Sequence, residues 1–257
     1  MPSYRAVSRN EFGHLRWKRF ERYDFAASDV VAPLVVQELG KACTALPVGF
    51  IQQGEGFVPA ALLGLKPGRN LFVTAEGQWI GPYTPAAYRG HPFALAKGQG
   101  EQLVLCVDTD SGLVGEETGE RFFDDAGEPA QSVRDVLNFL EQVHRNELLT
   151  QRLCGALQAE RLIVPWPLTV KDDHGEVPMH GLYRIDEEKL RGLEGEALAR
   201  VHAAGALPVA YCQLISMQHI QMLGKLTDAH AKRAQAVDPD LESFFEESSD
   251  GLKFDFH

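Results

Sequence analysis

The chain has 257 residues, 44% of them apolar and 24% charged, which supplies a buried core for one large domain or two small ones and excludes a collagen-like or generally disordered chain. Asp and Glu total 36 against 25 Lys and Arg, and the formal charge of −11 repels polyanions; the densest basic group, Arg16, Lys18, Arg19 and Arg22, is interrupted by Glu21, so nucleic acid is not expected as a partner. No apolar run approaches the roughly eighteen residues of a membrane span, and Cys43, Cys106, Cys154 and Cys212 lie far apart in apolar contexts, which fits buried free thiols in a reducing compartment and offers no CxxC pair.

Residues 1–28 carry Tyr4, Phe12, Trp17, Phe20, Tyr23 and Phe25, more aromatic surface than a free end keeps. They read as a strap across a core, with a partner-binding arm as the alternative. Their basic residues are followed by no continuous apolar stretch, so no export signal is read and the expected location is cytoplasmic. Apolar spacing of three and four through Val31, Leu34, Val35, Leu39, Ala42, Cys43 and Leu46, with Pro33 in the first turn, predicts a helix over about 31–45. Short apolar runs at 48–51, 57–63, 70–73 and 78–80, parted by Gly54-Glu55-Gly56, Lys66-Pro67-Gly68-Arg69 and Ala75-Glu76-Gly77, predict an antiparallel meander. Gly68 suits the positive φ of a type II turn.

Residues 81–93, rich in proline and aromatics, predict an ordered loop, and 101–108 a strand centred on Leu103-Val104-Leu105-Cys106-Val107. Ser132 is placed to cap a helix bearing Val133, Val136, Leu137, Leu140 and Val143, followed by a second helix through Leu149, Leu153, Ala156 and Leu157. Alternation at Val164, Trp166, Leu168 and Val170, then at Val177, Met179, Gly181, Tyr183 and Ile185, predicts strands over about 162–170 and 177–185. Asp186 opens a further helix, 194–204 carries another, and 206–214 reads as a strand leading to a helix from about Ser216 to Arg233. The fold class is α+β: a single mixed domain over 1–237 with an antiparallel strand meander and packed helices, then an acidic aromatic tail at 238–257.

Chemistry concentrates in the loop. Trp79, Tyr83, Tyr88, Arg89, His91 and Phe93 combine aromatic walls, a fixed cation and a group that titrates near neutrality, which suits a partner surface or a small planar or anionic ligand. His174 and His180, with Asp172, Asp173 and Glu176, are the densest set of metal-ligand types, but they lie on a predicted hairpin turn where such residues face water; no metal and no cofactor is expected. The glycines of 54–56 and 64–68 match neither a phosphate-binding loop nor a dinucleotide fingerprint. Ser132, Ser216, His144 and His219 form no hydrolase motif. In the tail, Phe244, Phe245, Phe254 and Phe256 stand among seven acids and Lys253, a pattern for docking on a basic or mixed apolar surface, with a solvated end as the alternative.

Phe25-Ala26-Ala27 followed by Val31-Ala32-Pro33-Leu34-Val35, Gly64 through Asn70-Leu71-Phe72-Val73, and Trp79 through Pro85-Ala86-Ala87-Tyr88-Arg89-Gly90-His91-Pro92-Phe93 together resemble the bacterial SapC family. Gly181-Leu182-Tyr183-Arg184-Ile185-Asp186-Glu187-Glu188-Lys189-Leu190 and Leu207-Pro208 through Leu214-Ile215-Ser216 extend the likeness, which spans about residues 20–230. The family carries surface-layer and peptide-permease labels; the permease label conflicts with a chain that has no apolar span. Its pattern has paired arginines before Pro-Phe where this chain has Arg89-Gly90-His91, so an anion-binding role implied by that pair rests here on Arg89 alone. The resemblance also implies a neighbourhood of flavin-dependent halogenase-like and oxygenase-like enzymes. The expected function is that of a non-catalytic accessory or scaffold protein that binds such an enzyme or itself. The alternatives are a metal-assisted small-molecule-modifying enzyme and a self-assembling surface-layer-associated protein exported without a cleaved signal.

Overall fold

The computed structural model describes residues 2–98, 100, 102–172 and 175–237, with the side chains of 170–177 and 234–237 left aside. Its elements in chain order are β1 (Tyr4–Ala6), α1 (Arg9–Phe12), β2 (Arg16–Trp17), β3 (Val31–Pro33), α2 (Val36–Ala42), β4 (Val48–Gln53), β5 (Gly56–Leu62), α3 (Ala86–Arg89), β6 (Phe93–Lys97) and β7 (Leu103–Asp108). There follow β8 (Val114–Gly115), β9 (Glu120–Arg121), α4 (Gln131–Ala159), β10 (Ile163–Pro165), β11 (Leu168–Asp172), β12 (Gly175–Met179), β13 (Leu182–Ile185), α5 (Glu187–Arg191), α6 (Gly195–Ala204), α7 (Leu207–Ser216) and α8 (Ile220–Val237). Helices and antiparallel sheets make an α+β protein.

The main sheet runs β10-β13-β4-β5-β3, all antiparallel. Its centre is the β4–β5 hairpin, whose turn uses Gly54 at φ +61°, a conformation that glycine reaches without a Cβ penalty. β13 pairs with β4 only at Leu182–Ile51 and Tyr183–Phe50, and where the strands part, α7 fills the gap with polar side chains. Buried Gln213 accepts from the Ile185 N–H at 2.9 Å and donates to the Val48 carbonyl at 3.2 Å, and the Ser216 hydroxyl accepts from the Val48 N–H at 3.0 Å. Backbone groups that would otherwise be buried unpaired are satisfied there by a helix instead of a neighbouring strand.

α4 crosses β5 and touches α2, α6 and α7, so the helices form a layer on the sheet around Leu39, Leu46, Phe50, Leu62, Leu157 and Leu223. A second buried cluster, Phe12, Trp17, Phe93, Val107, Phe122 and Val133, sits under the β1-β7-β6 sheet and the first turns of α4. No described helix is long and apolar enough to cross a membrane.

Several expectations are corrected. The segment 31–45 is a strand followed by a shorter helix, because Val31 and Ala32 complete the sheet edge against Leu62 and Ala61, and Pro33 suits an edge strand that does not need its N–H. The meander stops after β5, leaving one bridge between Val73 and Trp79; the buried Asn70 side chain donates to the Ala26 carbonyl at 3.0 Å and accepts from the Phe72 N–H at 2.9 Å, groups a ladder would have used. The helical runs after Ser132 are one helix of 29 residues, since no glycine or proline interrupts them before Gly155, and Ala130, not Ser132, is its N-cap. The two long strands of 162–185 break at Trp166-Pro167 and at His180-Gly181, with Gly181 at φ +80°. Residues 207–216 form α7, not a strand: the run is apolar at both periods, and Pro208 belongs to a helical first turn.

Candidate functional site

The site is built on Glu38, which sequence reasoning passed over. Val35, the N-cap of α2, has no side-chain acceptor, so the carboxylate three residues later folds back and accepts the Val35 N–H at 2.9 Å. Its other oxygen accepts the Tyr83 hydroxyl and the Ala86 N–H, each at 2.8 Å. Arg89, at the end of α3, stands 3.6 Å from that oxygen and donates to the Tyr83 hydroxyl at 3.2 Å. Glu38 is 5% exposed, so a buried charge is matched by three hydrogen bonds and a nearby guanidinium, the arrangement a buried carboxylate requires.

Arg89 itself is half-exposed. Its guanidinium carbon lies 5.4 Å from the ring centre of Phe139 on α4 and 5.9 Å from that of Tyr83, a cation held on two aromatic faces. It opens on a cleft of about 410 Å³ between α2, α3 and α4, whose walls include Gln37, Lys41, Gln142 and Asn146. Asn146 donates to the Gln37 side chain at 2.9 Å, and the Val36 N–H donates to Thr150 at 2.8 Å, which fixes α2 against α4.

The six loop residues do not form one surface. Tyr83 and Arg89 face this cleft. Tyr88 is buried and donates to Asp29 at 3.0 Å, and Phe93 packs edge-on against Trp17 at 4.8 Å in the second core. Trp79 stacks on Phe72 at 5.5 Å and donates its indole N–H to the Tyr83 carbonyl at 3.2 Å, bracing the loop from behind. His91 turns to the N-terminal strap, where its ring lies flat on Phe25 at 3.9 Å and meets Phe20 at 5.8 Å. A second cleft, of about 710 Å³, opens there beside Lys18, Arg19 and Arg22. Arg19 pairs with Glu120 at 3.3 Å and Arg22 with Asp24 at 2.6 Å, so two of the four cations in the chain's densest basic group are matched by carboxylates.

Burial, then the Glu38 bond and charge, push the Tyr83 phenol well above its ordinary value, with Arg89 opposing. Burial and the charge and bond of Asp29 do the same to Tyr88. Phenols so held stay protonated and act as donors that position carboxylates; they are not poised as bases or nucleophiles. Burial lowers the pKa of His91 against a smaller opposing effect of Asp108, so its ring is neutral at pH 7. Asp173 and His174 lie outside the described residues; His180 is exposed, and no group of three or more metal-ligating side chains stands together among the described residues. Phe244, Phe245, Phe254 and Phe256 also lie outside the described residues. Ser216 is consumed by the β4 backbone, and His144 pairs with Glu147 at 3.2 Å on the surface of α4.

The profile of the SapC family matches residues 7–223, taking in both clefts and every strand except β1. The chain belongs to the SapC family. No curated protein and no solved structure matches it.

Proposed function

We propose that this SapC-family chain is a non-catalytic accessory or scaffold protein of the cytoplasm that presents the Arg89 cleft to another protein. The observation that supports this reading is the preparation of Arg89: half-exposed, yet fixed by Tyr83, Phe139 and a fully satisfied buried Glu38. Pre-ordering a long cationic side chain lowers the entropy lost on binding, and arginine on an aromatic shelf is a recurrent anchor of protein interfaces. The same tyrosines are bound to carboxylates in a way that serves positioning. Flavin-dependent halogenase-like and oxygenase-like enzymes are the first candidate partners.

The test is co-purification of the full chain with each candidate, followed by titration of the purified pair. Binding that weakens at least tenfold in Arg89→Glu supports the reading. Equal binding by the wild type and Arg89→Glu, or no complex with any candidate, refutes it.

A further inference from the structure

A second surface, remote from Arg89, has its own chemistry. The turn at 65–69, the β11–β12 hairpin and α8 enclose an open groove of about 630 Å³, a volume that accommodates a ligand or a pair of aromatic side chains. Leu65, Leu71, Leu168, Met179 and Ile220 give it apolar walls, and Lys66, Arg69 and Asp228 also line it, two cations against one acid. On the α8 side lies Gly224, where a Cβ would meet no heavy atom within 4 Å. Glycine in a helix interior is disfavoured against alanine, and no described neighbour requires its smallness. It leaves its part of the groove wall without a side chain.

We propose that the groove is the docking site of this chain's own residues 238–257, seated through Phe244 and Phe245. Three observations select that occupant. The segment bears seven acids against Lys253, and Glu242, Glu246 and Glu247 flank the two phenylalanines, complementing Lys66 and Arg69. Its length fits. Gly224 precedes Val237 by thirteen helical residues, roughly 20 Å of helix, and the seven residues from Val237 to Phe244 span up to roughly 23–25 Å when extended. Pro239, two residues past Val237, lacks the N–H that another helical turn would use. Ordering all twenty residues would cost more than two aromatic rings return, so the docked part is the short stretch around Phe244 and Phe245.

The experiment uses the full chain. Amide hydrogen exchange is followed across 65–71 and 220–231 in the wild type, in Phe244→Ser/Phe245→Ser and in Gly224→Leu, while a photo-reactive phenylalanine analogue at position 244 is mapped by mass spectrometry. Docking predicts roughly tenfold faster exchange at 65–71 in the double serine variant, corresponding to about 1.4 kcal/mol of local protection. It also predicts crosslinks from position 244 to the groove within one chain, lost in Gly224→Leu, which fills the groove with a good helix former. Unchanged exchange in the serine variant, crosslinks between two chains, or crosslinks only elsewhere would overturn the proposal. The serine variant leaves every described residue unchanged, so its exchange result stands even if Gly224→Leu fails to fold.

Discussion

Glu38 receives the hydroxyl of Tyr83 at 2.8 Å, and through that bond a helix cap and an aromatic loop become one unit. The carboxylate satisfies Val35, Tyr83 and Ala86 together, so its removal orphans three donors at once. Glu38→Ala is expected to destabilise the protein by at least about 3 kcal/mol, since each of the three unsatisfied donors costs about 1–3 kcal/mol. Glu38→Gln keeps one acceptor, turns an amide N–H₂ against another donor, and should lose less. Urea denaturation of both variants checks the order; equal losses would show that the charge, not the hydrogen bonds, matters most.

Arg89→Ala separates binding from stability. The pair with Glu38 is long at 3.6 Å and the arginine side chain is 46% exposed, so solvent screening limits the folding cost to about 1 kcal/mol or less. Partner affinity, by contrast, should fall at least about tenfold if the shelf-held cation is an anchor. Comparing denaturation midpoints with titration of the purified complex reads both.

His91 gives a pH signature. Its pKa in the folded protein is lowered by burial against Phe25 and Phe20, so the unfolded chain binds its proton more readily. Stability from this group is therefore complete above the unfolded value of about 6.5 and is lost as pH falls through the folded value. His91→Phe should flatten the fall in stability between about pH 7 and 5 relative to wild type. Parallel curves for the two proteins would show that His91 does not contribute.

The loop's rear support is equally specific. A Cβ on Gly81 would lie 2.9 Å from both Phe72 Cδ1 and Trp79 Nε1, displacing the indole that donates to the Tyr83 carbonyl. Gly81→Ala should cost about 1–3 kcal/mol and alter the near-ultraviolet circular dichroism of Trp79. An unchanged spectrum with unchanged stability would mean that the loop gives way freely.

The thiols should be inert in the folded protein. Burial pushes Cys154 up to about 12, and burial with the adjacent Cys43 thiol pushes Cys212 up to about 11. Thiolate is therefore scarce at pH 8. A disulfide reagent should label Cys154 only as fast as the chain unfolds and Cys212 slowly; rapid native labelling of Cys212 would contradict its placement on α7 against Cys43 at the end of α2.

What could be read from the sequence follows from how local each determinant is. The β4–β5 hairpin carries its own turn glycines and short apolar runs, and the Asp186 cap of α5 is visible beside its helix. Residues 207–216 were illegible because an apolar run buried on several sides satisfies both periods. Glu38 looked like an ordinary helical acid, although its position three residues past the N-cap was a signal; Phe139 and Asn146 join the Arg89 cleft, and Asp29 meets Tyr88, only through tertiary packing. The aromatic loop was recognisable as a loop, but not the division by which Tyr83 and Arg89 face α4, His91 faces the strap, and Phe93 enters a core.

The strand order β10-β13-β4-β5-β3 has a consequence for biosynthesis. The hairpin made of residues 48–62 emerges from the ribosome early, yet the neighbour on its β4 side, residues 182–185, arrives more than a hundred residues later. At roughly 5–20 residues per second, β4 waits several seconds with one edge open, and an open apolar strand edge recruits other chains. Production of this protein should therefore depend on holdase chaperones during translation, and slowing elongation between residues 62 and 182 should lower the soluble yield.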